Sequence, residues 1–161
     1  VLDYRLPGGR PEVPLSDALR AMACVRESAH QWSIDPSRVG VLGFSAGGHL
    51  AALASTLWTS RLDRPDFTVL VYPVITLRQR HTHTNSRIAF VGRSPTEELV
   101  LRFSAERQVT PRTPPAFLVN ALDDRVVDPA NCRLYLAACV THGVPCRHVL
   151  LEAGGHPFVN K

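Results

Sequence analysis

Arg38-Val39-Gly40-Val41-Leu42-Gly43-Phe44-Ser45-Ala46-Gly47-Gly48-His49-Leu50 carries two periodicities that change over at a single residue. Val39 to Phe44 is a short apolar run of strand type, and beyond Ser45 the residues Leu50, Leu53, Ala54 and Leu57 recur at helical spacing. A strand that runs straight into a helix, with glycines at the joint, is the first half of a βαβ unit. The strand is apolar on both faces, as in a parallel sheet covered on both sides rather than a half-solvated antiparallel one.

Similar runs lie on either side of this stretch. Val1 to Leu6, Phe67 to Ile75, Ala116 to Leu122 and Arg147 to Leu151 all read as buried strands. Helical patterns separate them. The first takes Ser16 as N-cap, turns Leu19, Met22, Ala23, Val25, Ala29 and Trp32 toward one face, and stops at Asp35-Pro36. Near residue 94, Ser-Pro-Thr-Glu reads as a capping box with proline at the first helical position, which predicts a short helix through about Phe103. Asp128-Pro129 opens a helix carrying Leu134, Ala137, Ala138 and Thr141. It closes at His142-Gly143, where glycine can turn left-handed. Arg78 to Arg87 and Gln108 to Pro115 lack periodicity and read as loops. Strands alternating with helices give the fold class: α/β, with a mostly parallel sheet and helices on both faces. No repeat or linker divides the 161 residues, so residues 1–161 are expected to form a single domain.

The bulk properties exclude several functions. A formal charge of +4 comes from scattered arginines without a run of like charge, so no nucleic-acid partner is expected. No apolar stretch approaches the ~20 residues a membrane helix needs, so no membrane partner is expected either. The four cysteines, Cys24, Cys132, Cys139 and Cys146, form no C-x-x-C pair and read as small buried hydrophobes on helices and a strand. No metal site is expected. The chain starts without Met in what reads as the middle of a strand, which is the expectation for a sequence that begins partway through a protein and leaves the compartment unassigned.

Gly43-Phe44-Ser45-Ala46-Gly47 matches G-x-S-x-G where a strand enters a helix, the setting of a nucleophile elbow. So tight a turn requires small neighbours, supplied by Gly43, Ala46, Gly47 and Gly48. The serine hydroxyl then lies at a helix N-terminus, where free N–H groups favour developing negative charge, and the Ala46 N–H is the expected oxyanion donor. A hydroxyl becomes an effective nucleophile only when an imidazole takes its proton and a carboxylate orients that imidazole. Of seven histidines, His156 alone follows the last strand in a flexible loop, Gly154-Gly155-His156-Pro157. His30, His142 and His148 fall on a helix, a helix end and a strand and read as structural. His49 belongs to the packing of the helix after Ser45, and His81 and His83 read as members of a polar loop, with lining of the acyl or leaving-group pocket as the alternative. Asp123 and Asp124 both follow the run Ala116 to Leu122, at the sheet edge where parallel strands gather ligands.

These motifs resemble the α/β-hydrolase fold family, and more closely its acetyl-esterase and acetylxylan-esterase-like branch, whose members are often xylanase-associated. The similar stretches are Val1 to Leu6, Arg38 to Ala52, Tyr72-Pro73-Val74, Pro114 to Val119 with Asp123 to Val127, and Gly155-His156. The resemblance implies the acid in D-x-x-V, hence Asp124 with Asp123 as a solvated turn residue. It also implies the chain order Ser45, Asp124, His156. It further implies a serine carboxylesterase that removes short acyl groups, acetyl first, from a small-molecule or carbohydrate ester such as acetylated xylan, without cofactors. Two features depart from the pattern: Pro157-Phe158 stands where the family has Gly-Phe, and a strand with a glycine-rich loop bearing the second oxyanion N–H is expected upstream of Val1. The alternatives are a prolyl-oligopeptidase-like peptidase with the same triad order and a truncated hydrolase-like module without turnover.

Overall fold

The computed structural model of the chain describes residues 1–156 and residue 158. Four strands form one sheet: β1 (Val41–Phe44), β2 (Thr68–Val71), β3 (Ala116–Ala121) and β4 (Cys146–Leu151). They are parallel throughout and lie in sequence order, so each neighbour pair is a βαβ passage. The register aligns Val41, Thr68, Ala116 and Cys146 in one row and Gly43, Leu70, Leu118 and His148 two residues further along. The connections carry the helices. Helix α1 (Glu12–Glu27) precedes β1, α2 (Ser45–Thr56) follows it, α3 (Thr84–Val91) and α4 (Glu97–Arg102) lie between β2 and β3, and α5 (Ala130–Thr141) joins β3 to β4. The α/β class and the parallel sheet agree with the sequence reading.

The main core forms where Leu70, Ala116 and Leu118 of one sheet face meet Ala51, Ala52 and Leu53 of α2, Phe90 and Val91 of α3, Val100 of α4, and Cys132, Tyr135 and Cys139 of α5. A smaller cluster, Ala18 with Leu50 and Ala54, packs α1 on α2. Among the described residues all five α-helices therefore serve one face. In-register neighbours of parallel strands share a face, so Leu42, Val69, Phe117 and Arg147 lie on the other one. None of these four is buried, and Leu42 and Phe44 are 54% and 42% exposed. Among the described residues no helix covers that face, which corrects the expectation of helices on both: parallel strands taken in sequence order with right-handed connections place their helices on the same side.

Several boundaries differ from the sequence reading. Residues 1–6 form no strand, since no neighbouring strand pairs with them. The segment is held instead by Arg5, whose backbone N–H and guanidinium donate to the Asp17 carboxylate on α1 at 2.6–3.0 Å. Helix α1 starts four residues ahead of Ser16, because Pro14 falls in the first turn, where its missing N–H costs nothing. It ends at Glu27, which leaves Trp32 51% exposed in the turns that follow. Thr96, rather than Ser94, caps α4 by accepting from the Leu99 N–H at 3.2 Å. The loop expected over Arg78 to Arg87 contains the start of α3, capped by His83. Helix α5 ends as expected, with Gly143 at φ 67°. Cys132 and Cys139 are buried, whereas Cys24 is exposed on α1. Among the described residues no helix is long and apolar enough to cross a membrane.

Candidate active site

Ser45 is the first residue of α2 and directly follows β1, with φ at 52°. That left-handed conformation costs a non-glycine residue about 1–3 kcal/mol, and such strain gathers at functional sites. Close packing enforces the bend. A Cβ on Gly43 would lie 2.2 Å from the Gly47 carbonyl oxygen, and one on Gly48 would lie 2.7 Å from Pro73 Cβ. Gly47, which the sequence placed in the same role, has its nearest such neighbour, Tyr4 Oη, at 4.0 Å; the position tolerates a side chain. The small residues the elbow requires are therefore Gly43 and Gly48. The Ala46 N–H belongs to the first turn of α2, where amides have no intrahelical acceptor.

The three expected residues come together. Ser45 Oγ lies 3.1 Å from His156 Nε2, and His156 Nδ1 lies 2.8 Å from Asp124 Oδ2. A carboxylate only accepts, so the ring proton sits on Nδ1 and Nε2 presents its lone pair to the serine hydroxyl. The remaining Asp124 oxygen accepts from the Val126 and Val127 N–H groups at 2.8 and 3.0 Å. The side chains of His156 and Asp124 are 11% and 1% exposed, which keeps the relay largely out of water.

Two further residues support this arrangement, and the sequence reading had not given them that role. Asp123, read as a solvated turn residue, accepts from the Gly154 and Gly155 N–H groups at 2.9 and 2.8 Å. It thereby fixes the loop that carries His156, while Gly155 supplies the bend at φ 64°. Tyr72, just past β2, is buried and held at φ 37°. Its ring stands edge-on to His156 with centroids 4.5 Å apart and also contacts Phe158 at 4.9 Å. Burial, and then the Asp124 charge, push its hydroxyl above the ordinary tyrosine range. The turn it makes brings the Val74 N–H to the Ser45 carbonyl at 3.1 Å. No local pattern marked either residue: Asp123 acts on amides 31 and 32 residues away.

The other histidines have separate duties. His49 is buried on α2, donates from Nε2 to the Phe103 carbonyl at 2.8 Å, and is pushed down to about 4 by burial. His81 Nδ1 pairs with Asp128 Oδ2 at 2.5 Å. His83 caps α3 and also borders an apolar cavity of about 300 Å³ beside Ala46, together with Tyr4, Leu6, Leu50 and Phe90. His148 contacts Asn120 across β4 and β3, and His30 and His142 are exposed. Among the described residues no three His, Cys, Asp or Glu side chains gather as a metal site.

Comparison with known proteins bears on the fold and the family. The sequence model of the α/β hydrolase fold matches residues 1–160. An acetylxylan esterase from Xylanibacter ruminicola is 38% identical over 98% of this chain, which spans 34% of that protein. Endo-1,4-beta-xylanase B of Butyrivibrio fibrisolvens is 34% identical over 89% of the chain, or 24% of its own length. Among solved structures, an acetyl ester-xyloside bifunctional hydrolase from Caldicellulosiruptor lactoaceticus superposes with a TM-score of 0.92 at 40% identity, covering 97% of this chain and 61% of that one. The chain thus spans a quarter to a third of the curated relatives it matches.

Proposed function

We propose, for a chain that belongs to the α/β-hydrolase fold family, the activity of a serine carboxylesterase acting on short-acyl esters of carbohydrate, acetyl esters of xylan first among them. Ser45 Oγ attacks the ester carbonyl as His156 Nε2 takes its proton, and Asp124 orients the ring and stabilises the imidazolium. The Ala46 N–H holds the oxyanion. His156 returns the proton to the departing sugar hydroxyl, and water, deprotonated by the same imidazole, then releases the acid and regenerates Ser45. The observation that carries this reading is the unbroken relay of 3.1 and 2.8 Å from hydroxyl through imidazole to a buried carboxylate. The acetyl-sugar specificity is supported by what the relatives' names state.

Ser45→Ala in the complete protein tests the mechanism. Release of acetate from acetylated xylo-oligosaccharides should fall at least about 10⁴-fold, the scale on which triad nucleophiles act. Undiminished release would remove the serine mechanism, and faster cleavage of a peptide amide than of the ester would reassign the enzyme as a peptidase.

A further inference from the structure

On the edge of the sheet opposite Ser45, Arg61, Arg64 and Arg112 surround a cavity of about 580 Å³ with Trp58 in its wall. The topology fixes its side. Ser45, Asp124 and His156 follow the ends of β1, β3 and β4, whereas the cavity residues Pro36, Asp66 and Arg112 precede β1, β2 and β3. Strands of this length, rising about 3.3 Å per residue, hold the two edges roughly 13–20 Å apart.

The charges are unequal in their duties. Arg26 is wholly engaged: it donates to the carbonyls of Pro36, Arg61, Leu62 and Arg64 and pairs with Asp66 at 2.6 Å, which neutralises the one carboxylate in the wall. Among the described residues the other three guanidinium groups have no carboxylate partner. Arg64 gives Nε and Nη2 to the Arg112 carbonyl at 3.2 and 3.0 Å and keeps its remaining N–H groups for other acceptors. Arg112 stands over the Trp58 ring at 4.5 Å and Arg64 at 5.6 Å. Cation–π attraction thus holds two like charges at one cavity although they repel each other. Several unspent donors around one positive hollow, two of the guanidinium groups held against the Trp58 ring, are what carboxylates and phosphates bind.

We propose that this cavity binds a ligand carrying two or more oxyanion groups, carboxylate or phosphate, at a site separate from the triad and independent of the esterase reading. Trp58 provides the readout. In a Trp32→Phe background, which leaves Trp58 as the one tryptophan of the chain, the protein is titrated with trigalacturonate, with inorganic tripolyphosphate and with neutral xylotriose. A saturable, salt-sensitive change in Trp58 fluorescence is expected with a charged probe, at least fivefold weaker in Arg112→Gln and in Arg61→Gln and unchanged in Arg93→Gln. Response to trigalacturonate alone assigns the ligand as a carboxylated carbohydrate, response to tripolyphosphate alone as a phosphate, and response to both as an oxyanion of either kind. The proposal is overturned by any of three results: no saturable response to either charged probe, an equal response to xylotriose, or an equal loss in Arg93→Gln. Circular dichroism of each variant keeps a folding defect from passing as lost binding.

Discussion

Asp123 and Asp124 are chemically alike and one peptide apart, yet one holds the loop that carries His156 while the other orients its ring. The difference lies in exposure and acceptor geometry, since Asp124 is buried under two N–H groups of its own turn and Asp123 reaches out to the glycine pair. Asp123→Ala should lower kcat by about 10- to 100-fold with little change in KM, because a small misplacement of the base acts on the reaction rather than on binding. Asp123→Asn, which keeps an accepting oxygen, should recover most of the loss, as steady-state kinetics on a short-acyl nitrophenyl ester would reveal. Tyr72 poses a separate question, since its backbone strain persists although glycine would remove it. If the ring is what matters, Tyr72→Phe should keep near-full activity and Tyr72→Gly should lose at least about tenfold in kcat. Equal activity in both variants would leave the His156 contact without a role.

Helix α2 links the chemistry to the stability of the fold through His49. Burial holds this imidazole neutral in the folded protein, pushed down to about 4, against an ordinary value of 6.5 when the chain unfolds. Between those values the unfolded chain binds the extra proton, so stability is full above pH 6.5 and falls as pH drops toward 4, by about 3 kcal/mol in all. His49→Gln, which keeps a donor for the Phe103 carbonyl, should show a flatter decline in urea denaturation between pH 7 and 4.5. The elements differ in how plainly their residues announce them. The β1–α2 joint was legible because its periodicity changes at a glycine-flanked serine, and the end of α5 because Gly143 stops it. Helix α3 was hidden because a histidine caps it, and the start of α1 because Ser16 is a better cap by composition than Pro11. Val1 to Leu6 has the composition of a strand, but a strand also needs a neighbour, and pairing is not a local property. The same limit applies at the site: Ser45 and His156 stand in local glycine patterns, whereas the Asp123 latch exists only once β3 and the His156 loop meet.

At the scale of the whole molecule, the helices α1 to α5 of the described residues pack on one side of the sheet. Parallel order places every strand's carboxyl end at one edge, which gathers Ser45, Asp124 and His156, and places the arginine cavity at the other. The sheet is thus chemically polarised along its strands and unevenly shielded across its thickness. Among the described residues β3 lies between two neighbours with Leu118 fully buried, while β1 has one neighbour and shows Leu42 and Phe44 to solvent. Local opening is easiest where few apolar contacts resist it. In heavy water the amides of β3 should therefore remain protonated at least about ten times longer than those of β1, as mass spectrometry of peptic fragments would record, and equal lifetimes would refute the gradient. Ser45 thus follows directly on a margin strand of its sheet, so that breathing of this margin would disturb its hydroxyl before it reaches the carboxylate that steadies His156.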